Sequence, residues 1–125
     1  MKRQTGPLVA LAVLLALAGC AGLGTGGPDI TDEEARERAL AAEERHISDR
    51  LGNASCVESW SPESYVGIEQ EATVTNRTER GVFVTVRHPL TYSTEQTEAD
   101  VASEARYLVT ADDVERLGGT DVAPC

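Results

Sequence analysis

Lysine is almost missing from this sequence. The 125 residues contain one, Lys2, beside ten arginines, while Asp and Glu together number 21. A chain so short of positive charge offers no basic patch to a phosphate backbone, so nucleic acid is not an expected partner. Histidine is nearly as scarce. His46 and His88 are the only two, each read as structural, and no His-Glu-x-x-His, Gly-x-Ser-x-Gly, phosphate loop or dinucleotide fingerprint accompanies them. Without a visible set of acid, base and nucleophile, the sequence is read as that of a non-enzyme with no cofactor. Cysteine appears three times and never as Cys-x-x-Cys, so no zinc site is expected. The run Asp112, Asp113, Glu115 lacks calcium-loop spacing and reads as a solvated turn. Long apolar runs are lacking as well. The single one, Leu8 to Ala18, has 11 residues, about half of the roughly 20 needed to cross a bilayer as a helix.

That short run has the layout of an export signal: Lys2-Arg3 ahead of it, an apolar centre, and small residues before a cut site. It ends in Leu17-Ala18-Gly19-Cys20, which resembles the lipobox of prokaryotic lipoproteins. The resemblance covers the first 20 residues. It implies that residues 1–19 are a signal peptide for Sec or Tat export, cut just before Cys20, and that Cys20 becomes a lipid-modified first residue holding the protein to the outer face of the cytoplasmic membrane. Two hydrocarbon chains, at about 0.8 kcal/mol per buried methylene, anchor stably where one does not. Residues 20–28, with four glycines and a proline, form a tether with nothing to pack, reaching about 16 Å as a flexible coil. Loss of residues 1–19 leaves nine arginines against 21 acidic residues, a net charge of −12. The absence of Lys, the acidity and the preference for Ala, Val and Thr resemble secreted lipoproteins of halophilic archaea, in which salt screens self-repulsion.

Residues 29–125 suffice for one small domain. Cys56 and Cys125, an even pair in an exported chain, are expected to form a disulfide that compensates for a modest core. Thr31-Asp32-Glu33-Glu34 has the pattern of a capping box and opens a helix to about Leu51, with Gly52 as its left-handed stop. Ala35, Ala39, Leu40, Ile47 and Leu51 are its buried candidates, in a stripe weakened at Glu43 and Glu44. Asp32–Arg36, Glu34–Arg38 and Arg45–Asp49 are candidate pairs along its wet side. Cys56 to Trp60 is a short strand candidate. Three longer alternating runs follow, Tyr65–Thr75, Val82–Tyr92 and Ala99–Thr110. Thr110-Ala111-Asp112-Asp113 then reads as the cap of a short helix ended by Gly118-Gly119. The expected fold class is α+β: an N-terminal helix on a three- to four-stranded antiparallel meander with a short C-terminal helix, an element order similar to that of cystatin-like domains.

Four further positions stand out. Asn53-Ala54-Ser55 and Asn76-Arg77-Thr78 are glycosylation sequons built on the only two asparagines. Trp60 and Tyr65 flank a rigid Ser61-Pro62 near Cys56. Both rings are read first as closing the core beneath the disulfide; if exposed, they are the candidate recognition patch. The solvent face of the meander, mostly Thr and mixed charges, offers no comparable aromatic anchor. The sequence therefore describes a cell-surface lipoprotein, a non-catalytic binding or structural module. Its alternatives are an inhibitor-like or accessory subunit of a neighbouring membrane protein, and an unrecognised hydrolase.

Overall fold

The computed structural model describes residues 30–125, so the expected signal peptide, lipid-bearing Cys20 and tether lie outside the described residues. Helix α1 spans Asp32–Gly52. Strands β1 (Ser59–Ser61), β2 (Glu71–Thr78), β3 (Gly81–Ser93), β4 (Glu98–Val109) and β5 (Val114–Gly119) follow it. All pair antiparallel in one sheet.

The 13-residue β3 is the axis of that sheet. β4 pairs with it from Val82 to Ser93 on one edge. The other edge is shared: β2 takes Gly81 to Arg87 and β1 takes Thr91 to Ser93. Pro89, which has no N–H to give a ladder, sits in the interval between them, where its missing donor costs least. Even-numbered residues of β3 face α1, and with their β4 partners Ala105, Tyr107 and Val109 they meet Ala35 and Ala39 of the helix.

The short C-terminal helix of the expected layout does not form, and the helix–meander–helix order is corrected, among the described residues, to one helix and five strands. The physical reason lies in Thr110. Its hydroxyl accepts from the Asp113 amide at 3.0 Å, as an N-cap would. Its own amide, however, donates to the Asp113 carbonyl at 2.9 Å, closing a tight loop that turns the chain back along β4. Thr94 closes the β3–β4 turn by the same two bonds with Thr97. A Thr-x-x-Asp pattern serves a turn as well as a helix. Gly118 and Gly119 then work as strand residues. A Cβ at Gly119 would lie 2.3 Å from the Glu104 carbonyl oxygen, so only glycine lets β5 approach β4 this closely.

Two other boundaries differ. The run from Tyr65 is not strand until Glu71, because Asp100 draws the amides of Tyr65 and Val66 away from any ladder and Gly67 turns the chain at φ +89°. At the end of α1, Gly52 stays helical. Asn53 is the C-cap, and the space above Gly52 holds the Trp60 ring, 3.7 Å from where a Cβ would stand.

The helix stripe runs Ala35, Ala39, Glu43, Ile47, Leu51, all buried. Glu43 therefore divides the core. Above it lies the Ala/Val cluster with Ile30 and Tyr107. Below it lie Ile47, Leu51, Leu90 and Val122. Of the helix charges expected to pair along α1, Asp32 and Arg38 instead bond away from the helix, and Arg50 does the same. Arg38 donates to the Thr110 carbonyl at 2.6 Å, Arg50 to Asp121 at 2.7 Å and to the Val122 carbonyl at 3.0 Å, and Arg77 of β2 donates to Asp32 at 2.5 Å and the Ile30 carbonyl at 3.0 Å. Arginine, with five donors in a planar fork, can hold two acceptors at once where lysine presents a point charge.

Candidate functional site

Tyr65 and Val66 are the most exposed large apolar side chains among the described residues, at 87% and 71%. Neither closes the core. They stand on the segment between β1 and β2, which has no ladder of its own and is organised by one carboxylate. Asp100 of β4 accepts from the Ser64 hydroxyl at 2.7 Å, the Tyr65 amide at 2.8 Å and the Val66 amide at 3.2 Å. Ser64 in turn accepts from the amides of Val66 and Ile68. Hydrogen bonds to a charged acceptor are the stronger kind, so the loop is fixed with its apolar tip in water.

Behind Tyr65 is an open cleft of about 380 Å³ whose walls include Ser61, Thr91, Glu98 and Asp100. Thr91 and Asp100 are cross-strand partners on the sheet face turned away from α1. Trp60 pairs with Tyr92 and belongs to the helix face. It is 39% exposed, with its ring edge over Gly52. The two aromatics line the same cleft but differ in exposure: Trp60 half-covers the end of the core, and Tyr65 projects free. The sheet's outer face does carry one ring, Phe83, with the Arg80 guanidinium 5.8 Å from its centre.

The second polar constellation is internal. Glu43, wholly buried, accepts from the Tyr107 hydroxyl at 2.7 Å, from Arg116 at 2.9 and 3.3 Å, and from the Ser103 hydroxyl. Burial pushes the Glu43 carboxyl up, but the bonds from Arg116, Ser103 and Tyr107, with the Arg116 charge, outweigh it and hold it below the usual glutamate value. Burial and the same hydrogen bond raise the Tyr107 phenol, and the bond to Glu43 raises Arg116. The arrangement ties α1, β4 and β5 together through one charge. Glu43 is wholly buried, and its bonds go to side chains of β4 and β5, so this group positions elements against one another.

The two histidines lie near the Glu43 group without a hydrogen bond to it: His88 is opposite Ser103 across the ladder, and His46 is close enough to feel the Arg116 charge. His88 is buried, with Nδ1 2.9 Å from the Pro89 carbonyl and Nε2 3.6 Å from Glu44. A carbonyl only accepts, so Nδ1 carries the proton of that bond. His46 is held below its ordinary value by burial and by the Arg116 charge. Cys56 and Cys125 are within bonding distance, their Cα atoms 5.8 Å apart. Asn53 donates to the Asp49 carbonyl at 2.7 Å, while Asn76 is exposed on β2. Among the described residues no three His, Cys, Asp or Glu side chains are grouped to hold a metal ion, and no helix is long and apolar enough to cross a membrane. No known family model matches the chain, and no curated protein or solved structure is significantly similar to it.

Asp100 and Glu43 are organising residues whose roles sequence patterning does not give: Glu43 is read there only as a weak point of the stripe. Glu43 had a signal, since it occupies the fourth-residue stripe of a buried helix face. Asp100 had none, because its partners lie about 35 residues away in a segment that reads as strand.

Proposed function

We propose that this chain is an exported, lipid-anchored binding module of the cell surface that docks a partner through the Tyr65–Val66 loop. The lipobox-like Leu17-Ala18-Gly19-Cys20 supports the anchor. One observation carries the docking site: an apolar tip, 87% exposed at Tyr65, is held out by three hydrogen bonds to Asp100. Exposing tyrosine and valine costs solvation free energy, and a loop with no other role would be free to fold them inward. Fixing them in advance removes part of the ordering cost that association otherwise carries, and tyrosine is among the residues that dominate interface energies.

The acidic cleft behind the tip favours a partner that brings neutral or positive groups, since Glu98 and Asp100 line it and no basic residue does. A catalytic reading has less to stand on. His88 is beside the Glu44 carboxylate but buried in the helix–sheet layer, and the hydroxyl opposite it on β4, that of Ser103, is equally buried and donates to Glu43 instead.

Two measurements test this reading. Detergent-phase partitioning of the exported protein should be lost in Cys20→Ser; unchanged retention would contradict the anchor. In native gels of mildly solubilised membranes the chain should migrate in a complex, and Tyr65→Ser/Val66→Ser should release it as a monomer with an unchanged melting temperature. A complex that survives the double substitution would place docking elsewhere.

A further inference from the structure

The two sequons have unlike structural settings. Asn53 is the C-cap of α1: its side-chain nitrogen donates to the Asp49 carbonyl at 2.7 Å, and its backbone amide donates to the same oxygen at 3.1 Å. The C-terminal tail from Val122 to Cys125 passes beside it and, with Asn53, walls a cleft. A sugar on that nitrogen would have to be fitted against the tail while the cap bond is kept. Asn76 stands on the outer edge strand β2, just past the bulge that follows Val74. Its side-chain oxygen accepts from the Arg77 amide at 2.8 Å, and its side-chain nitrogen makes no hydrogen bond among the described residues. It faces Phe83 across the ladder, on the sheet face away from the helix.

We propose that Asn76 is an N-glycan attachment site and that Asn53 is a helix cap that carries no sugar. The donor is a lipid-linked oligosaccharide supplied by a membrane transferase. A bond forms from Nδ2 of Asn76 to C1 of the first sugar. That nitrogen loses one proton, and the C1–oxygen bond to the lipid phosphate breaks, the lipid leaving with both electrons of that bond. Thr78 supplies the hydroxyl that the sequon needs two residues on, in the same extended strand. The first sugar then lies along Phe83, which is only half-buried, so the glycan covers an aromatic that the meander otherwise leaves to water. At this end of the molecule Arg77 also holds Ile30, next to the tether. The glycan therefore sits near the membrane-proximal end, whereas the Tyr65 loop joins the opposite half of the sheet. This placement rests on the export reading above.

The test uses a host that N-glycosylates its exported proteins and two forms of the chain, one with its own residues 1–19 and one with these replaced by a leader from the host. Protease accessibility of the first form on intact cells reads export by the native signal, and failure there counts against the export reading alone. Mass spectrometry of the second form reads the sugar. The expected result is a hexose-containing mass on the peptide with Asn76, lost in Asn76→Gln and kept in Asn53→Gln, with the melting temperature lowered only in the latter. Sugar on the Asn53 peptide, or none on either peptide of the exported form, would overturn the proposal.

Discussion

Glu43 shows what a single side chain can decide. Taking a carboxylate out of water is costly unless it is paired and its remaining lone pairs are bonded, and here four donors meet it. Its removal should be expensive, since it leaves the Tyr107 and Ser103 hydroxyls and the Arg116 guanidinium without their acceptor. Glu43→Ala should lower unfolding free energy by about 3–5 kcal/mol in chemical denaturation; a loss under about 1 kcal/mol would mean that water substitutes freely for the carboxylate. The pH dependence has a definite sign. The folded-state pKa of Glu43 lies below the ordinary value of 4.5, so its contribution is present above that value and is lost as pH falls through the folded value. His46, also lowered, adds in the same direction, because the unfolded chain binds its proton first as pH drops below 6.5. Stability should therefore fall on acidification below about pH 4.5 less steeply in Glu43→Gln than in the parent, as thermal melts across that range would show.

At the scale of the element, the glycines near the C-terminus explain both a misreading and a constraint. The pattern Thr110 to Gly119 satisfies a helix cap and stop, yet a helix of that length has too few bonds to repay its nucleation. As a strand it places Val114 opposite Val109 and Arg116 opposite Tyr107, within reach of Glu43. Alternation over six residues is faint beside so clear a cap, and the deciding contact, Arg116 to Glu43, spans 73 positions. Periodicity made the long strands legible because Val82, Val84 and Val86 must all face one layer. It failed at Tyr65 to Gln70, where alternating residues are held by a distant carboxylate and not by a neighbouring strand. Gly119→Ala should destabilise by about 2 kcal/mol or more, since φ is +151° and its Cβ would meet the Glu104 backbone. Gly118→Ala, with open space around it, should cost less. Equal effects in urea unfolding would show that β5 does not press on β4 as described.

The whole molecule combines a divided core with a strongly acidic surface. Cys56 and Cys125 are 69 residues apart. Closing such a loop is worth up to about 4 kcal/mol in the chain-entropy model, which would tie the tail carrying Val122 beneath the helix end. Unreduced protein should therefore show no free thiol at either position by mass spectrometry, and alkylation of both in the folded state would contradict the bond. The charge of −12 on residues 20–125 makes stability salt-dependent: the melting temperature should rise between about 0.1 M and about 2 M KCl as screening shortens, and equal values would remove the argument for a salt-adapted surface. The function claimed for this architecture depends most on where a neighbour touches it. A photo-crosslinking amino acid placed at Tyr65, and in a second protein at Thr85 on the outer sheet face, should report that contact in intact cells. The account predicts a discrete adduct from position 65, weakened by Asp100→Ala, and none from position 85; adducts of equal yield from both positions, or none from 65, would contradict it.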